Sequence, residues 1–141
     1  MAHPSPRPSR YALKAKRSEA GLGLYADEAI PKGRFVIEYW GPIVDDAEAQ
    51  RRGGRYLFEL GNGRTIVGTT RANTARYANH ACRPNCETRL VGGRIFIFSI
   101  RPIKPGDAIT YDYGKDYFNK LIKPFGCKCA SCESKRTKKA R

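Results

Sequence analysis

No stretch of this 141-residue chain approaches the ~20 consecutive apolar residues of a membrane-crossing helix, so no membrane role through such a span is expected. The opening MAHPSPRPSR has no apolar segment, and a secretory signal peptide is not expected either. Acids are scarce: 13 Asp and Glu stand against 27 Lys and Arg, a formal net charge of +14. They are missing altogether from both ends. Residues 1–17 carry Arg7, Arg10, Lys14, Lys16 and Arg17, and residues 134–141 carry Lys135, Arg136, Lys138, Lys139 and Arg141, with no acid in either. The span between them holds the other 17 basic residues and all 13 acids, a net of only +4. A mildly basic domain with two basic ends suits a polyanion such as nucleic acid, or simply solvated tails. Tyr11 is the one aromatic among these end charges, too few for a single-strand stacking platform there. Cysteines number five, an odd count that argues against a disulfide scaffold. The length excludes solenoid arrays and multi-domain assemblies. One domain of this size buries roughly 70% of its unfolded surface without covalent help.

What is present is dense punctuation, 14 Gly and 9 Pro, separating short apolar runs. That pattern is β-rich with tight turns. Phe35–Tyr39 reads as a strand. Asp45 reads as an N-cap with Glu48 three residues on, opening a short helix that Gly53-Gly54 stops. Residues 56–60 and 64–67, around Gly61-Asn62-Gly63, read as a hairpin, and so do 88–91 and 94–99 around Gly92-Gly93. Ile109–Tyr113 reads as a last strand, and residues 71–78 as a helical turn or two. Gly21-Leu22-Gly23-Leu24 reads as a tight turn. It lacks the preceding strand, long following helix and third glycine of a dinucleotide fingerprint. A weak internal echo links Ile30-Pro31-Lys32-Gly33 with Ile103-Lys104-Pro105-Gly106; two copies indicate shared turn chemistry, not a repeat architecture.

Three segments concentrate chemistry. Residues 76–86, RYANHACRPNC, crowd polar and cysteine side chains between apolar strands, a costly arrangement unless the groups meet partners. Asn79 and His80 together could read the edge of a heterocycle, while Asx-turns at Asn79 or Asn85 would make the segment a plain surface loop. Tyr111 and Tyr113 share one face of a strand, where two phenols line a pocket or serve as ordinary core tyrosines. Cys127, Cys129 and Cys132 supply three corners of a tetrahedral metal site, with Cys82 or Cys86 available for the fourth, or are free thiols.

The order of these segments is more specific than any one of them. G-L-G-L-Y, E-Y-W-G, Y-L-F-E-L, R-Y-A-N-H-A-C-R-P-N-C, G-D-A-I-T-Y-D-Y-G and C-x-C-x-x-C, spread from Gly21 to Cys132, resemble the SET-domain protein lysine methyltransferases. The compact build is similar to stand-alone bacterial and viral members. The resemblance implies a mostly β fold with short helices, small sheets around a pseudoknot-like core. It implies a basic N-terminus over 1–10, the SET domain over 11–120, a post-SET-like cysteine segment over 121–133 and a basic tail over 134–141. It implies S-adenosylmethionine bound by Gly21, Leu22, Gly23, Leu24, Arg76, Asn79 and His80, and catalysis by Tyr113, with Tyr111 and Tyr56 shaping the lysine channel. Tyr111 matches the Phe/Tyr switch position, which implies mainly monomethyl product, with dimethyl as the further one. One zinc ion on Cys82, Cys127, Cys129 and Cys132 is implied, although C-x-C-x-x-C is shorter than the usual C-x-C-x4-C. The implied partner is a lysine-containing protein, a histone or another basic DNA-associated protein, with nucleic acid gripped by the basic ends. The location would be cytoplasmic in a bacterium and nuclear in a eukaryotic host. The rival from another class is a non-catalytic, basic, zinc-binding nucleic-acid module.

Overall fold

A computed structural model describes residues 5–18, 21–52, 56–61 and 63–113. In chain order the elements are β1 (Leu13–Ser18), β2 (Gly21–Ala26), β3 (Phe35–Tyr39), β4 (Ile43–Asp45), α1 (Asp46–Arg52), β5 (Leu57–Glu59), β6 (Arg64–Val67), a 3-10 turn (Thr74–Tyr77), β7 (Asn79–His80), β8 (Cys86–Val91), β9 (Arg94–Ser99) and β10 (Thr110–Tyr111). They form four small sheets: β1–β2, β3–β9–β8, β4–β6–β5 and the parallel pair β7–β10. Among the described residues no helix is long and apolar enough to cross a membrane.

The two hairpins and β3 stand where the apolar runs and glycine pairs place them. In α1 the Glu48 N–H donates to Asp45 Oδ1 at 2.8 Å, the expected cap. Acids in its first turn and arginines in its last complement the helix dipole. Two readings change. Residues 21–24 are not a free turn: Gly21, at φ +100°, opens β2, which pairs antiparallel with β1 along its length. β1 is hard to see because Lys14-Ala15-Lys16-Arg17 has no apolar alternation; it is an exposed edge, and cations blunt such edges. The last strand shrinks to Thr110–Tyr111. Residues before it turn to β2, through the Tyr25–Ala108 bridge and the Ile109 N–H to Leu24 O bond (2.7 Å), and the N–H of Tyr113 is taken by a side chain.

β9 alternates half-buried Arg94, Phe96 and Phe98 with buried Ile95, Ile97 and Ser99. Its inner residues join Leu24, Ile30, Val36, Ile66 and Ile109 in one core. Each such side chain contributes about 1.5–3 kcal/mol by leaving water. The echoing turns meet in this core. Ile30 and Ile103 exchange both backbone hydrogen bonds, at 2.9 and 2.8 Å, so the internal likeness marks two turns that pair. On the outer face of β3–β9–β8, Arg94 forks onto the carboxylate of Glu38 at 2.9 and 2.7 Å. Glu38 is 1% exposed and also accepts the Arg7 N–H at 2.7 Å, while Arg94 reaches Ser5 O at 3.2 Å. Arg7 lies over the Phe35 ring, 4.1 Å from its centroid. One buried carboxylate thus fastens the N-terminal segment to the sheet.

Candidate active site

The two polar motifs, thirty residues apart in the chain, become neighbours in the β7–β10 pair. Thr110 lies beside Asn79 and Tyr111 beside His80. Tyr111 is buried, and its ring centroid is 5.0 Å from that of Tyr113. An aromatic row continues through Phe58 to Tyr39 on one side and to His80 on the other.

Hydrogen bonding sets the roles available to these groups. The Tyr113 N–H donates to His80 Nδ1 at 3.0 Å, so that nitrogen carries no proton and the neutral ring holds its proton on Nε2. Nε2 lies 3.5 Å from Cys82 Sγ. Both imidazole nitrogens are therefore turned to the chain itself and knit the two motifs. The Tyr113 hydroxyl donates to Ala78 O at 2.6 Å. With its proton spent there, that oxygen presents lone pairs to anything else that approaches.

The glycine strand borders this group. Asn79 Nδ2 donates to Leu22 O at 3.1 Å, and a Cβ at Gly23 would sit 3.0 Å from both Asn79 Nδ2 and the Tyr25 ring. Gly23 eases that close approach and has no unusual backbone angle. Leu24 is fully buried and Leu22 is exposed.

Arg76 and Tyr56 form a second group, joined to the first by the 3-10 turn. The Arg76 guanidinium stands over the rings of Tyr56 (4.7 Å) and Tyr77 (4.8 Å) and donates to Thr69 O. Its Nε is buried without a partner among the described residues, an unspent donor.

Two asparagines outside the expected set tie neighbouring segments together, Asn85 at the site itself. Asn85 Nδ2 donates to Ala108 O at 2.7 Å and its Oδ1 accepts the Thr110 N–H at 3.0 Å. Asn73, fully buried, does the equivalent between Gly68 O (3.1 Å) and the Trp40 N–H (3.2 Å). Asn85 makes cross-strand bonds where an Asx-turn was one expectation; polarity inside a half-buried motif was the only sequence signal for it. Asn73 carried none.

The cysteines divide. Cys86 is 1% exposed, and burial pushes its thiol up to about 12. Cys82 is exposed beside His80. Cys127, Cys129 and Cys132 lie outside the described residues, and among the described residues no three metal-binding side chains converge. A cavity of about 360 Å³ lies between the N-terminal segment and Trp40 and shares no lining residue with the tyrosine–histidine group.

A tyrosine pair set against an Asn-His step, beside a glycine strand and within small sheets, defines a compact β-rich protein with a polar aromatic site. The SET domain matches residues 21–114. The chain belongs to the SET-domain family. It is 35% identical over 130 residues to histone-lysine N-methyltransferase Set2 of Drosophila melanogaster, covering 83% of this chain and 6% of that protein. It is 38% identical over 125 residues to histone-lysine N-methyltransferase 2D of Homo sapiens, covering 79% and 2%. It is 36% identical over 124 residues to histone-lysine N-methyltransferase ASHH3 of Arabidopsis thaliana, covering 77% and 34%. The chain thus spans a small part of much longer relatives.

Proposed function

We propose that this chain is a protein-lysine methyltransferase. It moves a methyl group from S-adenosylmethionine to a lysine of a histone or another basic, DNA-associated protein, mainly once and at most twice. The observation that carries this is the Tyr111–Tyr113 pair held against Asn79-His80 in a chain of this family. S-adenosylmethionine supplies an electrophilic methyl on a sulfonium. Gly21, Leu22, Gly23, Leu24, Arg76, Asn79 and His80 would hold it, His80 through its backbone because its ring nitrogens are engaged. Two features of the chain fit such a guest: the Gly23 flank, which any side chain would crowd, and the unspent Arg76 Nε, a donor for an anionic end.

An ammonium has no lone pair, so the lysine must arrive neutral; an aromatic-walled, partly buried site favours the neutral amine by desolvation. In-line displacement then depends on alignment. The Tyr113 oxygen, its own proton held by Ala78 O, accepts an amine N–H and aims the lone pair. The buried Tyr111 hydroxyl takes a second hydrogen or a water and restricts the room for further methyls. Tyr56, supported by Arg76, forms a wall of the lysine channel. One zinc ion on Cys82, Cys127, Cys129 and Cys132 would tie the C-terminal segment to the site, the exposed Cys82 being more accessible for the fourth corner than the buried Cys86.

The test is methyl transfer from labelled S-adenosylmethionine to mixed histones and to a bacterial basic-protein extract. Mass spectrometry reads the product, and the native mass of the enzyme reads one zinc per chain. Monomethyl-lysine is expected to dominate, and Tyr111→Phe to move the product toward di- and trimethyl. Dominant trimethyl product from the unaltered chain would reject the switch role of Tyr111. No label on either set, with no thermal shift on adding S-adenosylmethionine, would instead favour the nucleic-acid module. A basic enzyme is a poor electrostatic match for a basic tail, so the two basic ends are assigned to DNA near the substrate, where they raise local concentration. Deleting both ends is expected to flatten the salt dependence of DNA binding. An unchanged slope removes that role.

A further inference from the structure

Asn85 makes, with one side chain, the contacts a neighbouring strand would make. A carboxamide carries a donor and an acceptor side by side, as a peptide group does. Here Nδ2 donates to Ala108 O at 2.7 Å while Oδ1 accepts the Thr110 N–H at 3.0 Å and lies 3.3 Å from Thr110 Oγ1. These two backbone groups lie on one edge of the strand; the opposite edge, at Ile109 N–H, is held by Leu24 O. Asn85 is itself fixed. Its carbonyl accepts the Ile100 N–H at 2.8 Å and its N–H reaches Thr110 Oγ1 at 3.3 Å. A post rooted at the ends of β8 and β9 therefore grips the segment 108–110 one residue before Tyr111. Beyond it, the two-residue β7–β10 pairing, the Ala81 N–H to Tyr111 O bond and the Tyr113 bonds to His80 and Ala78 hold the chain.

We infer that Asn85 is a positioning residue that sets how far the Tyr111 and Tyr113 hydroxyls reach into the site, and through Tyr111 the number of methyl groups the enzyme adds. The methyl-number part rests on the proposed methyltransferase function; the positioning part does not. The reason is leverage. Two phenols follow within three residues of the gripped segment, and a site that counts methyl groups must resolve differences smaller than one methyl.

Asn85→Asp is the discriminating change. The carboxylate keeps an acceptor for the Thr110 N–H but sets a negative oxygen against Ala108 O in place of a donor. Asn73→Asp is the matched control. Its amide likewise joins a carbonyl (Gly68) to an N–H (Trp40), but away from β10. Amide hydrogen exchange is expected to accelerate at least tenfold at residues 110–113 in Asn85→Asp and not in Asn73→Asp. In the transfer assay, Asn85→Asp should lower kcat about tenfold, leave KM for peptide and cofactor within twofold, and raise the share of dimethyl product. Thr110→Val, which removes only the hydroxyl that Asn85 contacts, should move exchange and product ratio in the same direction by less. It carries the test if Asn85→Asp does not fold. Equal exchange in the two Asp variants, or an unchanged product ratio in Asn85→Asp and Thr110→Val, overturns the inference. An inactive unaltered chain with selective loosening at 110–113 would count against the methyltransferase function while upholding the positioning role.

Discussion

Tyr113→Phe is expected to lower kcat by about a hundredfold, the scale seen when one preorganised polar group is removed from a reacting centre. Stability should change by no more than about 1 kcal/mol, since a single hydrogen bond to Ala78 O is lost. The geometry also decides the form of the loss. With its proton donated to a carbonyl oxygen 2.6 Å away, the hydroxyl is an acceptor toward the amine. Giving up that proton would place a phenolate against the Ala78 carbonyl, two negative oxygens in contact. Tyr113 is therefore expected to aim the amine and not to deprotonate it. Two results follow. KM for peptide should rise by no more than a few-fold, and the pH profile of kcat/KM should keep its shape in the variant, because the titrating group is the substrate amine. A kcat within threefold of the unaltered chain would remove Tyr113 from the reaction. A rising limb that vanishes in Tyr113→Phe would restore it as the base.

Arg94→Met is expected to be the most destabilising single change on the outer sheet face. Glu38 is 1% exposed, and Arg94 meets both of its oxygens. Removing the guanidinium leaves a buried carboxylate with the Arg7 N–H as its described partner, a situation that costs about 3–5 kcal/mol. At this chain length that is a fall in Tm of roughly 10 °C or more. The N-terminal segment should loosen as well, because Arg94 also holds Ser5 O. Trypsin should then cut at Arg10 well before the rest of the domain. The pair is an anchor more than a source of stability, and a second variant separates the two roles. Glu38→Leu with Arg94→Met should recover most of the lost Tm, since apolar residues replace a buried ion pair at little cost. Tryptic release of the N-terminal segment should persist, because its acceptor at Glu38 is gone. A single Arg94→Met variant within 1 kcal/mol of the unaltered chain would mean that water reaches Glu38.

Much of the chemistry was legible in the chain because it lies in short local motifs. Asn79-His80 and Tyr111-Asp112-Tyr113 are side chains in fixed local order, and the two tyrosine rings do meet, at 5.0 Å, although the strand itself ends at Tyr111. The hairpins at Gly61–Gly63 and Gly92-Gly93, and the Asp45 cap, are likewise decided by turn and capping preferences within a few residues. β1 was not legible. Its cations show no apolar period, and it exists because β2 offers it a pairing edge. The bonds made by Asn85, Asn73 and Glu38 could not be read either, since each partner lies 5 to 56 residues away and nothing local distinguishes these side chains from surface polars.

The sequence by itself determined the β-rich class, the turns, the two polar motifs and the family. The tertiary structure alone decided that Ile30 faces Ile103, that His80 spends its nitrogens on Tyr113 and Cys82, that Cys86 is buried and that Tyr113 gives its proton to Ala78. The physical reason is the range of the interactions. Strand alternation, turns and caps depend on neighbours along the chain. Hydrogen-bond direction and burial depend on which distant segment folds alongside.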